Sequence, residues 1–218
     1  MKLHPFVETI VKLHLENCFN PYSDRCEIHD SIEAPSLRAQ MLSKIIYSAT
    51  SRPIDAIWIG RDLGYRGGRR TGLALTDDAH IENHAKRFNL FAERPTIGNA
   101  VTERTAAVIW NMLDQVDAQI FLWNVFPLHP HAAGEQFTNR QHNTLERKIG
   151  EELLKELIRL LNPSRIVAIG NDAAASASRI TNSIPVLCVR HPSYGGQNIF
   201  IAQVSEIYGC SPRQKTLL

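Results

Sequence analysis

The sequence predicts an α/β protein: a three-layer α/β/α sandwich with a central, mostly parallel four-stranded sheet. Four short apolar runs alternate with segments of helical periodicity along the chain. These runs are apolar on both faces, as is typical of strands that helices cover on both sides. No repeat or linker interrupts the 218 residues, so we expect a single domain over residues 1–218.

The predicted strands are the four apolar runs, each bounded by prolines, glycines or polar residues that favour turns. They span residues 54–60, 119–124, 165–170 and 184–189. Apolar residues at helical spacing predict the helices between them. These cover residues 5–15, a segment from about Pro35 to Thr50, residues 78–89, 102–113 and 145–161, a segment starting at Asn171 or Asp172, and residues 198–208. We expect the tail from Pro212 to be frayed.

The chain is mildly basic overall, and four of its arginines are concentrated in one segment. The formal net charge is +2 and the pI is near 8.4, which by themselves do not indicate nucleic acid. Arg61, Arg66, Arg69 and Arg70 nevertheless fall within ten residues, in a glycine-rich loop predicted at 61–78. Such a patch favours an anionic partner. The alternative is an ordinary solvated loop.

The remaining composition restricts the compartment and the chemistry. No apolar run is long enough to span a bilayer, and the N-terminus carries no signal-peptide pattern, so we expect a cytoplasmic protein without membrane contact. The four cysteines form no C-x-x-C pair, which favours free, mostly buried thiols over a zinc or iron–sulfur site.

Three polar residues follow different predicted strands. Asp62 comes after the first, Asn124 ends the second and His191 follows the fourth. The carboxyl ends of parallel strands meet at one edge of the sheet, where ligands bind. An acid, an amide and an imidazole there support acid–base or electrostatic catalysis on a polar planar group. Each residue also has a structural alternative, as a turn former, a backbone partner or a loop residue.

Two further patterns do not match the metal-binding or phosphate-binding motifs that they partly resemble. His80 and His84 lie four residues apart, but no glutamate follows His80 to complete H-E-x-x-H, so a solvated helix face is favoured over a metal site. The glycine-rich loop lacks the G-K-[ST] of a phosphate-binding loop, and its glycines do not fit G-x-G-x-x-G.

The residues at the strand ends also resemble motifs of a known family. Gly60-Arg61-Asp62-Leu63-Gly64 resembles the first motif of the uracil-DNA glycosylase superfamily, and His191-Pro192-Ser193 resembles its second. Asn124 matches the asparagine that binds the uracil edge. The stretch 122–131, with Asn139-Arg140 downstream, is similar to bacterial members of uncertain substrate. The resemblance covers most of residues 50–205.

The resemblance implies hydrolysis of an N-glycosidic bond in DNA after the base is flipped into a pocket, without metal or organic cofactor. Asp62 would stabilise the cationic sugar and orient water, and His191 would donate a hydrogen bond to the departing base. The implied base-binding residues are Asn124, Gly60, Arg61, Leu63 and Leu75. The implied DNA-binding residues are Arg66, Arg69, Arg70, Ser193 and Tyr194, with Tyr194 as a wedge. The implied partner is DNA, and we expect a monomer.

The sequence departs from the family pattern within the first motif and its loop. Leu63 stands where proline is usual, Leu75 replaces the stacking aromatic, and Gly64 stands where some members carry a tyrosine that excludes thymine. Two alternatives therefore stay open. One is a nucleic-acid-binding member with weak or no catalysis, and the other is a hydrolase of free nucleosides or nucleotides.

Overall fold

A computed structural model of the protein describes residues 2–210, and the tail from Pro212 lies outside them. The strands are β1 (Cys18–Phe19), β2 (Ala56–Asp62), β3 (Ile120–Phe126), β4 (His129–Pro130), β5 (Arg165–Ile169) and β6 (Val186–Val189). The helices are α1 (Pro5–Val11), α2 (Ala34–Thr50), α3 (Gly68–Thr71), α4 (Ile81–Arg87), α5 (Arg104–Leu113), α6 (Thr144–Leu161), α7 (Asn171–Ile180) and α8 (Gln197–Tyr208).

The main sheet has four parallel strands in the order β3-β2-β5-β6, which confirms the predicted sheet. Strand β2 lies inside it, between β3 and β5. A separate two-stranded antiparallel sheet joins β1 to β4, with Cys18 opposite Pro130. The sequence did not predict this small sheet, because two-residue strands carry no periodicity.

Side-chain alternation along β2 builds the core on both faces of the sheet. Ile57 and Ile59 pack into a core with residues of α1, α2 and α6, whereas Ala56 and Trp58 pack into a second core with residues of α5 and α8. Successive strand residues point to opposite faces, so one apolar run serves both cores. This arrangement confirms the predicted three layers.

Two predicted strands end too early. Strands β2 and β3 each continue two residues further, because their parallel pairing places Gly60 beside Asn124 and Asp62 beside Phe126. Asp62 is therefore the last residue of β2 rather than a residue after the strand, and Asn124 lies inside β3 rather than at its end. A strand that keeps its ladder hydrogen bonds holds a side chain more rigidly than a loop does.

The region predicted as one long loop after β2 contains the short helix α3 and is tied to the fold. The buried Arg38 of α2 pairs with Asp30, and its Nε donates to the Arg70 carbonyl at 2.8 Å. The Tyr22 hydroxyl donates to the Gly72 carbonyl at 2.7 Å, where φ is +70° and favours glycine. These contacts hold the segment between β2 and α4 against the core.

No helix within residues 2–210 is both long enough and apolar enough to cross a membrane.

Gly150 lies inside α6 at the point where the helix touches β3. A Cβ there would overlap the Val125 carbonyl oxygen, one residue after Asn124. Ala usually stabilises an exposed helix interior relative to Gly, by up to about 1 kcal/mol. We expect Gly150→Ala to destabilise instead, by about 1–3 kcal/mol, because the strand backbone cannot yield easily. Urea unfolding measures the change.

The control for Gly150→Ala is Lys148→Ala, an ordinary replacement on the same helix. It should change the unfolding free energy by less than about 0.5 kcal/mol. A Gly150→Ala protein as stable as the wild type would show that α6 does not press on β3.

Candidate active site

A cleft of about 630 Å³ opens at the carboxyl edge of the main sheet. It is lined by side chains from β2, β3, α5, the start of α7 and the loop after β6. Nine of the twelve predicted catalytic, base-binding and DNA-binding residues line it together: Gly60, Arg61, Asp62, Leu63, Leu75, Asn124, His191, Ser193 and Tyr194. Arg66, Arg69 and Arg70 do not line it within the described part of the chain.

Asn124 provides a buried amide at the base of the cleft. Its side chain is 1% exposed, and its Oδ1 has no hydrogen-bond partner within residues 2–210. Its neighbour Gly60 makes room for it, since a Cβ there would lie 2.9 Å from both Asn124 Oδ1 and Leu75 Cδ2. A buried acceptor without a partner is costly. It is satisfied if a ligand in the cleft brings an N–H donor to it.

His191 is held as a neutral imidazole. Burial, followed by the positive charges of Arg61 and Arg190, lowers its pKa below the usual range. The Ser193 backbone N–H donates to Nδ1 at 3.2 Å, and the Ser193 hydroxyl lies 2.8 Å from the same atom. Because a backbone N–H can only donate, Nδ1 is the acceptor and the proton sits on Nε2. Ser193 thus sets the tautomer of His191.

Asp62 is a carboxylate with one donor on each oxygen. Arg61 Nε donates to Oδ2 at 2.7 Å, and His142 Nδ1 donates to Oδ1. Arg61 also pairs with Asp172 at 2.8 Å, at the start of α7. The Asp62 side chain is 7% exposed, so these partners replace most of its hydration.

The two leucines of the first-motif region have different environments. Leu63 is 2% exposed and packs tightly under Gly68, so its side chain belongs to the core beneath the cleft. Leu75 is half-buried, with φ at +56°, a left-handed conformation that is uncommon for leucine. Its carbonyl accepts a hydrogen bond from Trp110 Nε1 at 3.1 Å, which helps to keep the backbone in that conformation.

The arginine cluster divides into exposed and buried members. Arg66 is exposed and donates to the Tyr65 hydroxyl at 2.8 Å. Arg69 lies 3.9 Å from the Phe19 ring centroid, and Arg70 pairs with Asp78 at 2.7 Å; both are at most 5% exposed. Their burial argues against the predicted phosphate contacts in this conformation and indicates a role in fixing the loop.

Tyr194 is 97% exposed at the rim of the cleft. Its φ is +50°, and Gly195 follows with a φ of +76°. Within residues 2–210, no hydrogen bond or ring contact holds its side chain. An aromatic side chain projecting from a left-handed turn beside a cleft is free to meet a partner.

Sequence reasoning missed two side chains that belong to this region. Glu103 lines the cleft: its carboxylate is close to Gly67, and a Cβ on Gly64 would lie 3.4 Å from Oε1. Burial and the charge of Asp77 raise the pKa of Glu103, with Arg66 opposing. His142 reaches Asp62 from 80 residues away. Neither stands near a strand end in the sequence, and only the tertiary contacts reveal them.

A family model described as the uracil DNA glycosylase superfamily matches residues 54–202. This range is about two thirds of the chain and includes all four strands of the main sheet. The chain belongs to the uracil-DNA glycosylase superfamily. No curated protein sequence matches it.

The fold of this superfamily member is also similar to a solved structure. The crystal structure of wild-type SMUG2 from Pedobacter heparinus superimposes with a TM-score of 0.62. The match covers 94% of this chain and 97% of the other, at 14% sequence identity. At that identity the likeness concerns the fold alone.

The cysteines of this superfamily member are scattered and free within the described residues. Only Cys26 is fully buried, and Cys188 is exposed, so the expectation of mostly buried thiols was wrong. Burial, with a hydrogen bond to Glu146, raises the pKa of Cys18 to about 12. No group of three or more His, Cys, Asp or Glu residues within residues 2–210 could hold a metal ion.

Glu103 gives a prediction for the stability of this superfamily member. Its pKa is raised in the folded protein, so the native state binds the proton more tightly than the unfolded chain. Stability from this group is therefore fully present at acidic pH and lost as pH rises through the raised pKa. We expect Glu103→Gln to stabilise the protein at pH 7–8, by about 1 kcal/mol or less, and the gain to vanish near pH 4.

Chemical unfolding at several pH values measures this effect. Glu82→Gln removes the same charge from an exposed site on α4 and is the control. It should show no gain at neutral pH beyond a few tenths of a kcal/mol. A Glu103→Gln protein less stable than the wild type at pH 7–8 would contradict the assigned cause.

Proposed function

We propose that the protein is a DNA glycosylase that hydrolyses the N-glycosidic bond of uracil, or of a related deaminated base, in DNA. Superfamily membership supports a glycosylase role. The choice of base rests on the cleft and on the motif resemblance. Excision of a deaminated base is the first step of base excision repair, which is the process we propose for it.

The unpartnered Oδ1 of Asn124 is the observation that carries this proposal. A uracil edge presents an N–H donor flanked by carbonyl oxygens, and a carboxamide can bind it through one acceptor and one donor. The acceptor in this protein is buried and unpaired, so a base that supplies the N–H removes its desolvation cost. Cytosine bound in the same position would place its unprotonated N3 against Oδ1, where two acceptors would face each other.

Asp62 and His191 match the charges that develop when the N-glycosidic bond breaks. The bond between the base nitrogen and C1′ lengthens, leaving a cationic sugar and an anionic base. In our proposal the Asp62 carboxylate stabilises the sugar and orients a water toward C1′. The Nε2–H of His191 donates to a base oxygen as its negative charge grows. A neutral imidazole suits this task, since it needs only to donate.

DNA contact in this proposal depends on the rim of the cleft. The exposed Arg66 and Arg190 offer positive charge for phosphates, which would make binding sensitive to salt. Ser193 combines a contact with His191 and a position on the rim. Tyr194 would fill the space that the flipped base leaves in the stack. Arg69 and Arg70 are left out because they are buried.

A base-release assay tests the function. Oligonucleotides carrying uracil, hypoxanthine or xanthine, single- and double-stranded, are incubated with the protein, and free base is measured. We expect release of at least one base, and a fall of about 10²–10³-fold in rate for Asp62→Asn and for His191→Ala. These variants remove the sugar-stabilising charge and the donor to the base, respectively.

The matched control is Asp55→Asn, which removes a carboxylate from the opposite end of β2, where it pairs with Arg165. Its rate should stay within about twofold of the wild type, because this half-buried pair does not line the cleft. If none of the three bases is released from either single- or double-stranded DNA, the proposed function is wrong. Salt-dependent DNA binding without base release would favour the nucleic-acid-binding alternative. Hydrolysis of free nucleosides or nucleotides that is faster than base release from DNA would favour the alternative of a nucleoside or nucleotide hydrolase.

Tyr194 gives a separate prediction about duplex DNA. We expect Tyr194→Ala to slow release from double-stranded substrate by about tenfold and from single-stranded substrate by less than about twofold, because unpairing costs arise only in the duplex. Phe91→Ala, which removes another aromatic side chain at 95% exposure, is the control and should change neither rate. An equal loss on both substrates would contradict a wedge role.

A further inference from the structure

We infer that His142 is a positioning residue of the active site, which holds the carboxylate of Asp62 in one orientation. This inference rests on the proposed function, because the orientation of Asp62 matters for rate only if the cleft cleaves a glycosidic bond. His142 does not line the cleft. It therefore acts on a substrate only through Asp62.

The contact joins two parts of the chain that are 80 residues apart. His142 Nδ1 donates to Asp62 Oδ1, and the two side chains are 9% and 7% exposed. Arg61 Nε donates to the other oxygen, Oδ2. A carboxylate offers about four acceptor sites in total, and two donors leave further sites for a water or a sugar. Donors on both oxygens restrict rotation of the group.

His142 itself is fixed from several directions. Its ring meets the edge of Phe126, the β3 partner of Asp62, at a centroid distance of 6.2 Å. The next residue, Asn143, is the N-cap of α6 and forms a capping box with Glu146. Arg140 binds the same glutamate at 2.6 Å. The histidine therefore stands on a segment that its neighbours hold in place, as a positioning residue requires.

The second partner of Asp62 holds it less firmly. Arg61 is 36% exposed and divides its guanidinium between Asp62 and Asp172. Ion pairs with exposed members contribute little and are screened by salt. The buried contact from His142 is thus the constraint that remains when the surface pair loosens. Without it, only the surface pair with Arg61 would limit rotation of the Asp62 carboxylate.

Single-turnover base release, with the most active substrate of the panel, tests this role. We expect His142→Ala to lower the rate by about 10–100-fold, the range seen when an outer partner of a functional ligand is removed. The dissociation constant for uncleaved DNA should change by less than about twofold, since no DNA contact is lost. His142→Asn should recover most of the rate, because its amide N–H lies near the position of Nδ1–H.

A second histidine–aspartate pair provides the matched control. His80 Nδ1 contacts Asp77 Oδ1 at 2.6 Å, with the aspartate fully buried, and neither residue lines the cleft. His80→Ala loses the same kind of bond, so it lowers stability but leaves the single-turnover rate of folded protein unchanged. If His80→Ala slows the reaction as much as His142→Ala does, His142 has no special role.

A double variant separates positioning from general destabilisation. If His142 acts through Asp62, adding His142→Ala to Asp62→Asn lowers the rate no further. Fully additive losses, or a His142→Ala protein with the wild-type rate, would overturn the inference while leaving the proposed function intact.

The hydrogen bond can also be measured without turnover. A strongly downfield Nδ1–H proton resonance of His142 is expected in wild-type protein and should disappear in Asp62→Ala. If wild-type protein releases no base, the proposed function is wrong. The resonance still tests whether His142 donates a hydrogen bond to Asp62, because it does not depend on turnover. Its absence from the wild-type spectrum would overturn the inference.

Discussion

The parallel pairing of β2 with β3 is the constraint on which the cleft depends. It places Gly60 directly beside Asn124 and Asp62 beside Phe126. Because Gly60 has no side chain, the Asn124 amide and Leu75 can both approach the β2 backbone. A one-residue slip would turn every side chain of β2 to the opposite face and would break both cores together. The buried packing of the sheet therefore sets the geometry of the polar groups.

The cleft concentrates polar groups that are costly to bury, and two of them, His191 and Asp62, have specific hydrogen-bond partners. His191 is neutral because burial and two arginines disfavour its charge, and Ser193 fixes its tautomer. Asp62 is surrounded by donors. Among the buried side-chain polar atoms that line the cleft, only Asn124 Oδ1 has no hydrogen-bond partner within residues 2–210. Fixed dipoles of this kind suit a reaction in which charge separates, because they need little reorganisation.

The arginine-rich loop shows where an interpretation from local composition stops. Four arginines in ten residues suggested one anion-binding surface, but two of them are buried. Arg70 neutralises Asp78, and Arg69 packs on Phe19. Composition reports which charges lie close in the chain, whereas burial depends on what the rest of the fold brings against them, here α2 and the first 30 residues. The glycines of the loop have structural reasons that only the fold reveals, since Gly72 adopts a left-handed conformation and Gly67 and Gly68 are tightly packed.

The sequence by itself determined the fold class, the four main strands to within two residues and the convergence of Asp62, Asn124 and His191 on one cleft. These follow from local apolar patterns and from the rule that parallel strands end at a common edge. The tertiary structure alone decided which charges are buried, that Glu103 lines the cleft and that His142 contacts Asp62. The contacts of Glu103 with Asp77 and of His142 with Asp62 join residues 26 and 80 positions apart, and no local pattern encodes them. The physical reason is that hydrogen bonding and desolvation depend on packed neighbours, which only the folded chain supplies.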